Sequence, residues 1–396
     1  MPDEGETDHG YWIEPDVLQR IEEQRLVLER ETVSLGLLVN TSQINAGPFN
    51  YLILTEYPQL RIESLFDHLD AAWPYARLFA HEFVIVKRVN EETSPAQEQV
   101  IEAILDGPPR LFDQAFELET TYLLPDGDSV YLYRQRYHLP ATYPVEYVTH
   151  LAEALGGQTR RDDAIILAPP QLVGPFVSQY TGPAEVYLTP VNEKDLADMA
   201  TRHPRILLVL GDPVAGEVQS LAQEWLNHHA FRASHEWSDS LQLLTYATAA
   251  LAPATTPTVE VSATLGESIE LVGYDLLPGP WHPGDIVTLT LFWQTRMPVG
   301  LDYSAFVHLL DGGGQLVVQN DSAPVGGSRP TSSWTGDETI VDRRGLPLPD
   351  ELQPGEYDLR LGMYLPASGE RLPVRDANGN VLGDSLSLGQ LKVTPP

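Results

Sequence analysis

The chain has 396 residues, of which 42% are hydrophobic, and a formal net charge of −32 from 56 acidic and 24 basic side chains. The hydrophobic share argues against wholesale disorder, and the length predicts more than one domain. The negative charge argues against nucleic acid and polybasic membrane docking, and the absence of cysteine excludes disulfides, thiolate nucleophiles and zinc–thiolate sites.

Residues 1–139 are predicted to form an N-terminal α/β unit that ends in a β-hairpin. Apolar residues near helical spacing, with Pro15 in the first turn, predict an opening amphipathic helix. The predicted helices are 14–30 and 94–107, and the predicted buried strands are 33–40, 60–66 and 83–89. Alternating runs on both sides of Pro125, Asp126 and Gly127 predict the closing hairpin.

Residues 140–250 are predicted to form a second α/β unit, because helical and strand patterns alternate there at short spacing. The predicted helices are 144–156, 192–203 and 216–229, and the predicted strands are 164–169, 184–189, 205–211 and 241–247. This alternation is typical of an open sheet covered by helices. We therefore expect a small doubly wound unit with a mostly parallel sheet.

Residues 251–258 have the Pro, Thr and Ala composition of a stiff linker, and the hydrophobic period changes to two beyond them. The predicted strands of the region 259–396 are 286–294, 303–311, 315–321, 357–365 and 386–393. Trp293 shares one strand face with Leu289 and Leu291, which predicts that its indole lies in the core. Several half-buried faces of this kind predict a C-terminal antiparallel β-sandwich.

The sequence predicts neither a signal peptide nor a transmembrane helix. Its first residues, MPDEGETDHGYW, are acidic and lack the basic and apolar regions of a signal peptide. The longest uncharged stretches, 164–184 and 241–259, are interrupted by prolines, which are incompatible with an unbroken spanning helix.

The last third of the chain resembles a known module. The strings that carry the resemblance lie within 267–393 and include ELVGYDL, PWHPGDIVTLTLFWQT, PTSSW, LQPGEYDLRLGMYLPASGERLPV and GNVLGD. They resemble the β-sandwich at the soluble C-terminal end of membrane-embedded glycosyltransferases similar to the protein-mannosyltransferase group, in bacteria of the green non-sulfur type. The middle unit resembles the α/β segment that precedes this module, through RILLVLGD and residues 225–246.

The resemblance implies a location rather than an activity. Those transferases catalyse within a bundle of membrane helices, with an acidic residue in an early external loop. This sequence has no such helices, so no catalytic residue is carried over to it. The resemblance implies an extracytoplasmic position near a polyprenyl-linked sugar system, and similarity of fold alone does not fix function.

No common catalytic or nucleotide-binding motif is present: GxSxG, HExxH, GxxxxGK[ST] and GxGxxG are all absent. Gly211–Gly216 follows a predicted strand but lacks the lysine that would contact a phosphate, so it predicts a turn. We assign no catalytic residue, no cofactor site and no metal site.

The densest group of titratable side chains contains Asp67, His68, Asp70, His81 and Glu82. Carboxylates and imidazoles suit a metal site or an acid–base pair. However, nothing in the spacing brings the two parts of this group together, which favours ordinary polar loop residues.

The segment DANGNVLGD, at 376–384, superficially resembles a calcium loop. Gly379 occupies its fourth position rather than its sixth, and Ser387 stands where a calcium loop has glutamate. The pattern favours a β-turn.

Aromatic side chains are the remaining candidates for ligand binding. Trp281, Trp334 and Tyr364 fall in predicted loops or on the strand face opposite Leu361, so we expect exposed rings that could stack on sugars. The alternative is packing in the core, which is the usual fate of large aromatic residues.

We interpret the chain as a non-catalytic, extracytoplasmic accessory or recognition module of cell-envelope glycosylation, with glycans or that machinery as partners. Binding is expected at the sandwich loops or at the strand ends of the middle unit. Two alternatives remain open: a sugar-modifying enzyme with a site between the α/β units, and a purely structural tail. Convergent catalytic groups would favour the enzyme, and exposed rings in a row would favour binding. The absence of both features would favour the structural tail.

Overall fold

The structure is a computed structural model in two compact units. It describes residues 13–39, 44–65, 78–88, 95–106, 110–124, 127–136, 144–168, 172–188, 192–211, 221–248, 256–336 and 338–395. The first unit falls within Met1–Arg160 and Pro169–Leu188, and the second within Arg161–Ala168 and Thr189–Pro396. The predicted domain boundaries near 139 and 250 lie outside the described residues, so the three-part division stays a prediction.

The first unit combines helices with a five-stranded sheet. Its helices are α1 (Glu14–Val27), α2 (Ala46–Thr55), α3 (Pro95–Asp106), α4 (Arg110–Ala115), α5 (Val145–Gln158) and α6 (Val173–Gln179). The strands of this sheet are β1 (Val33–Leu38), β2 (Leu60–Ser64), β3 (Phe83–Lys87), β4 (Phe116–Leu123) and β5 (Ser129–Gln135), and a further strand, β7 (Glu185–Leu188), lies outside it. The sheet has the order β2-β1-β3-β5-β4.

The pairing in this sheet follows from the connections between its strands. β1 is parallel to β2 and β3. Parallel pairing needs long connections, because the chain must return to the end of the sheet at which the previous strand began. β5 is antiparallel to both β3 and β4, and β4 and β5 form the predicted hairpin. Apolar side chains of α1, including Val17, Leu18 and Ile21, are fully buried in the same core cluster as β1 and β3.

The second unit contains the remaining elements. Its helices are α7 (Glu193–Arg202) and α8 (Leu221–His229). Its strands are β6 (Asp163–Leu167), β8 (Arg205–Leu210), β9 (Phe231–Ser238), β10 (Leu241–Ala247), β11 (Val259–Leu265), β12 (Ile269–Leu276), β13 (Ile286–Thr295), β14 (Ser304–Leu310), β15 (Leu316–Ser322), β16 (Ile340–Pro347), β17 (Gly355–Leu365), β18 (Glu370–Arg371), β19 (Val374–Arg375), β20 (Val381–Gly383) and β21 (Leu386–Val393).

Two sheets organise this unit. One runs in the order β20-β19-β11-β12-β13-β16-β9-β10-β8-β6, and the other runs β15-β14-β17-β18 with β21 paired to β17. The side chains between them form a single core that includes Leu289, Leu291 and Trp293, as predicted. The predicted fold class, α/β followed by an all-β sandwich, is confirmed.

The α/β part of the second unit has mixed rather than mostly parallel pairing. β6 and β8 are parallel, but β10 is antiparallel to both β8 and β9. The reason is a tight turn in which Asp239 adopts a φ of 55°, so β9 and β10 form a hairpin. No helix among the described residues is both long and apolar enough to cross a membrane.

A buried cluster of polar side chains connects β16 with β14, β15 and the 3₁₀ turn Pro324–Gly327. We call it the Arg344 cluster, and its side chains are those of Arg344, Asp342, Asn320 and Arg232. Arg344 and Asp342 are each 1% exposed, and Arg344 Nε donates to Asp342 Oδ2 over 2.8 Å. Arg344 Nη1 and Nη2 donate to the carbonyl oxygens of Ala305 and Ser322, each over 3.0 Å. The other carboxylate oxygen, Asp342 Oδ1, accepts from the backbone N–H of Val325 over 2.9 Å.

The same cluster connects the sandwich with β9. Asn320 Nδ2 donates to the carbonyl oxygens of Gly345, over 2.7 Å, and Arg232, over 2.9 Å. Arg232 in turn donates from Nη1 to the Gly326 carbonyl over 2.9 Å, and its backbone forms a parallel bridge with Arg344. Strands on both sides of the predicted linker therefore belong to one hydrogen-bonded sheet.

Candidate functional site

Trp281 lies in the loop between β12 and β13, and this loop is attached to the end of β21. The Trp281 carbonyl accepts a hydrogen bond from the backbone N–H of Thr394 over 2.8 Å, and Trp281 forms a parallel bridge with Val393. His282 Nδ1 lies 3.2 Å from the Thr394 carbonyl oxygen. These contacts hold the indole beside β21.

The other side of the loop is held by a turn at Asp285. Asp285 Oδ2 accepts from the His282 N–H over 2.7 Å, and the Asp285 carbonyl accepts from the Leu348 N–H over 2.8 Å. Gly284, at a φ of 81°, returns a bond from its N–H to the Leu348 carbonyl over 3.1 Å. A left-handed φ of this kind favours glycine. The loop is therefore held on one side by the end of β21 and on the other side by Leu348.

A groove of about 490 Å³ opens beside Trp281. Its lining residues are Leu276, Leu277, Pro278, Gly279, Pro280, Trp281, Gln390, Leu391, Lys392 and Thr394. The Trp281 side chain is half-buried and packs against the sandwich core. A Cβ atom on Gly279 would lie 3.1 Å from Trp281 Cδ1, so the absence of a side chain there lets the indole lie close to the loop.

The groove combines an apolar wall with polar groups from one strand. Gln390 and Lys392 are two residues apart on β21, so they extend from the same face, and both are exposed. Within the described part of the chain, the Lys392 ammonium makes no ion pair. An aromatic ring beside an amide and an ammonium group suits a ligand that has both an apolar face and hydroxyl or other acceptor oxygens.

No protein-family model matches the chain. No curated protein is similar to it in sequence either. Among solved structures, the C-terminal domain of wzt is similar at 16% identity over 35% of this chain and 90% of that one, with a TM-score of 0.21. A DUF4466 family protein from Parabacteroides merdae is similar at 16% identity over 35% of this chain and 46% of that one, with a TM-score of 0.19.

A β-glucosidase from Listeria innocua is similar at 11% identity over 93% of this chain and 47% of that one, with a TM-score of 0.19. TM-scores this low establish neither a shared fold nor a shared function. The site is therefore argued from its own residues.

Tyr364, the second predicted ligand-binding residue, lies far from Trp281. It is half-buried on the outer face of β17, where its ring centroid is 6.4 Å from that of Phe306. Val393, the bridge partner of Trp281, pairs with Gly355 at the start of β17. Tyr364 is nine residues further along this strand, a separation of roughly 30 Å at the usual rise of an extended chain. The structure does not bring these two rings together.

The expected exposure of Trp334, the third predicted residue, is wrong. Its side chain is 2% exposed, and its indole Nε1 donates to the Arg329 carbonyl over 3.0 Å. The ring centroid lies 6.5 Å from that of Trp293, inside the same core. The physical reason is the 3₁₀ turn Thr331–Ser333, where Thr331 Oγ1 donates to the Leu301 carbonyl over 2.6 Å and holds the turn-rich segment against the sandwich.

The predicted titratable group is only partly described, because Asp67, His68 and Asp70 lie outside the described residues. His81 Nε2 lies 3.4 Å from Glu63 Oε2, and Glu82 Oε2 accepts from Ser34 Oγ over 2.8 Å. No group of three or more His, Asp or Glu side chains placed to hold a metal occurs in the part of the chain that the structure describes.

We expect calcium removal to leave the melting temperature unchanged. Asp376 Oδ1 accepts from the backbone N–H groups of Asn378 and Asn380, over 2.8 and 2.9 Å, and Asp376 Oδ2 accepts from Asn380 Nδ2 over 2.9 Å. The bond from the Asn380 side chain is the main cause that lowers the Asp376 pKa, so the carboxylate is stabilised by loop donors without a cation. The measurement is a thermal melt with chelator and with excess calcium. A shift of several degrees that calcium reverses would contradict this expectation.

Sequence reasoning missed Trp237, which is 55% exposed on β9. The sequence indication of its exposure was the string HEWSDS, where tryptophan stands two residues before the turn residues Asp239 and Ser240.

Proposed function

We propose that the chain is a non-catalytic, extracytoplasmic recognition module of a cell-envelope glycosylation system, and that it binds glycan in the groove beside Trp281. The observation that supports this proposal is the groove itself, where a half-buried indole meets Gln390 and Lys392. Its volume of about 490 Å³ is in the range typical of small-ligand sites. Sugars present the matching chemistry, since one face of the ring is apolar and its rim carries hydroxyl groups.

The location and the partner are proposed from the resemblance of residues 267–393 to the soluble end of membrane glycosyltransferases. The acidic surface fits this assignment, because a net charge of −32 disfavours nucleic acid as the ligand. Lys392 is one of only three lysines in the chain, and its ammonium is a hydrogen-bond donor to sugar oxygens.

Trp281→Ala is expected to weaken glycan retention by about two- to tenfold, because a stacked aromatic ring contributes about 0.5–1.5 kcal/mol beyond its buried area and 1.4 kcal/mol is tenfold in affinity. The measurement is retention on an array of neutral and acidic glycans, with wild type and variant compared at equal concentration. A thermal melt of each variant shows whether the fold is intact.

A second variant keeps the test independent of stability. Gln390→Ala removes an exposed amide from the groove without removing core packing, and it is expected to weaken retention of the same glycans. Gln319→Ala, which removes an exposed amide from β15 outside the groove, is the matched control. If the wild type retains no glycan on the array, the glycan proposal fails and the purely structural tail replaces it.

A further inference from the structure

Trp237 lies next to the last residue of β9, at the end of the sheet where β9 and β10 are joined by their hairpin turn. It pairs across the hairpin with Gln242, and Gln242 pairs on its other side with Leu210, the last residue of β8. The exposed indole is therefore two strands away from the last residue of β8, at the same end of these strands. Most of the other large aromatic side chains of this unit, such as Trp293 and Phe306, are buried.

The parallel strands β6 and β8 also finish at this end of the sheet. Leu167, the last residue of β6, pairs with Val209 of β8, and the next N–H, from Ala168, donates to the Val209 carbonyl over 2.9 Å. Both strands run in the same direction, so their carboxyl ends meet there. In open α/β sheets, ligands bind outside the carboxyl ends of the strands.

The hydrogen bonds of Gln242 fix the tautomer of His235. A carbonyl oxygen only accepts, so the bond of 3.1 Å between Gln242 Nε2 and the Gly211 carbonyl identifies the amide nitrogen. Gln242 Oε1 therefore faces His235 Nε2, at 2.9 Å, and accepts a hydrogen bond from its N–H. With the proton on Nε2, a neutral imidazole carries its lone pair on Nδ1.

The surroundings of His235 favour its neutral form. Desolvation by partial burial lowers the pKa of the imidazole below its ordinary value, and the nearby Arg232 guanidinium acts in the same direction. In the described part of the chain, no hydrogen-bond donor reaches Nδ1. The ring thus presents an acceptor.

The two rings extend from the same face of β9, since they are two residues apart. Their centroids are 5.9 Å apart, with an angle of 37° between the planes. A six-membered ring stacked on the indole can therefore direct a substituent toward the imidazole.

We propose that Trp237 and His235 form a second ligand site, which binds a neutral sugar ring by stacking on the indole and by a hydroxyl bond to His235 Nδ1. Neither side chain is charged, and the net charge of −32 opposes an anionic ligand. The inference shares its ligand class with the proposed function, but it stands on different residues and survives if the Trp281 groove binds nothing.

The test is a titration of the ¹⁵N-labelled full chain with two neutral probes, cellohexaose and maltohexaose, and one anionic probe, hexagalacturonate. The Trp237 indole N–H resonance is assigned by its disappearance in Trp237→Phe. We expect at least one neutral probe to shift this resonance. We also expect Trp237→Ala and His235→Phe each to weaken that binding by about two- to tenfold, as measured by isothermal titration calorimetry with the same probe, because Trp237→Ala has no Trp237 resonance to follow.

Trp281→Ala is the control, and it should leave the shift of the Trp237 resonance unchanged. This separates the two sites, because failure of the groove would appear in the array and not in this resonance. An unshifted Trp237 resonance with both neutral probes would overturn the inference, as would a shift with hexagalacturonate alone. Unchanged binding in both Trp237→Ala and His235→Phe would overturn it as well.

Discussion

Arg344→Ala is expected to destabilise the protein by about 3–5 kcal/mol, the usual cost of breaking a buried ion pair by removing one partner. The substitution leaves the Asp342 carboxylate buried without its cation, and it removes the donors to the Ala305 and Ser322 carbonyls. The measurement is the free energy of unfolding from a urea titration followed by circular dichroism.

Arg360→Ala is the matched control for this effect. Arg360 Nε donates to Asp358 Oδ2 over 2.6 Å in the same motif, an arginine two residues from its aspartate. Its side chain is 37% exposed, however, so its loss should cost no more than about 1 kcal/mol. Equal costs for the two variants would show that burial of the Arg344 pair does not govern stability.

A double variant avoids both the stranded charge and the lost packing of Arg344→Ala. In Arg344→Met with Asp342→Asn, the methionine keeps most of the arginine volume, and the asparagine oxygen still accepts from the Val325 N–H. This variant should be more stable than Arg344→Ala alone, because the core keeps most of its packing and the Asp342 carboxylate is no longer left without its cation. Val325 has a φ of 53°, which is unfavourable for a β-branched residue, so the retained acceptor matters for this turn.

Trp293→Ala is expected to destabilise the protein by about 3–5 kcal/mol, because it removes the largest fully buried side chain among the described residues and leaves a cavity. The same urea titration measures the effect, and Trp237→Ala is the control. Trp237 is 55% exposed, so its replacement should change stability by no more than about 0.5 kcal/mol. A Trp293→Ala cost as small as the control would contradict the assignment of this indole to the core.

Trp293→Phe is expected to cost less than Trp293→Ala for two reasons. Phenylalanine keeps most of the ring volume. In addition, the buried Nε1–H of Trp293 has no hydrogen-bond acceptor among the described residues, and leaving a buried donor unpaired costs about 1–3 kcal/mol. Removing the donor offsets part of the lost packing.

Much of the fold could be predicted from local pattern. The alternation of Leu289, Leu291 and Trp293 identified a strand face that the structure buries, and the hydrophobic run 205–211 identified β8. Residues 231–238 were not predicted as a strand. They become a strand because they pair with β10 and β16, and such pairing depends on residues distant in the sequence.

The candidate site shows the same limit. Trp281 could be predicted from its turn-rich surroundings, but the Thr394 that holds it stands 113 residues away in the sequence. The same reasoning failed for Trp334, because local composition does not show that a 3₁₀ turn covers the end of a core. Exposure of an aromatic ring depends on packing that short-range patterns do not contain.

The scarcity of lysine has a practical consequence for any surface-based binding assay. Lys87 is 4% exposed and bonded to Asp128, which leaves Lys194 on α7 and Lys392 as the exposed lysines. Coupling to a sensor chip through lysine amines would therefore attach a share of the molecules by the wall of the Trp281 groove and block it. Attachment through carboxylates, or a measurement in free solution, keeps that entrance open.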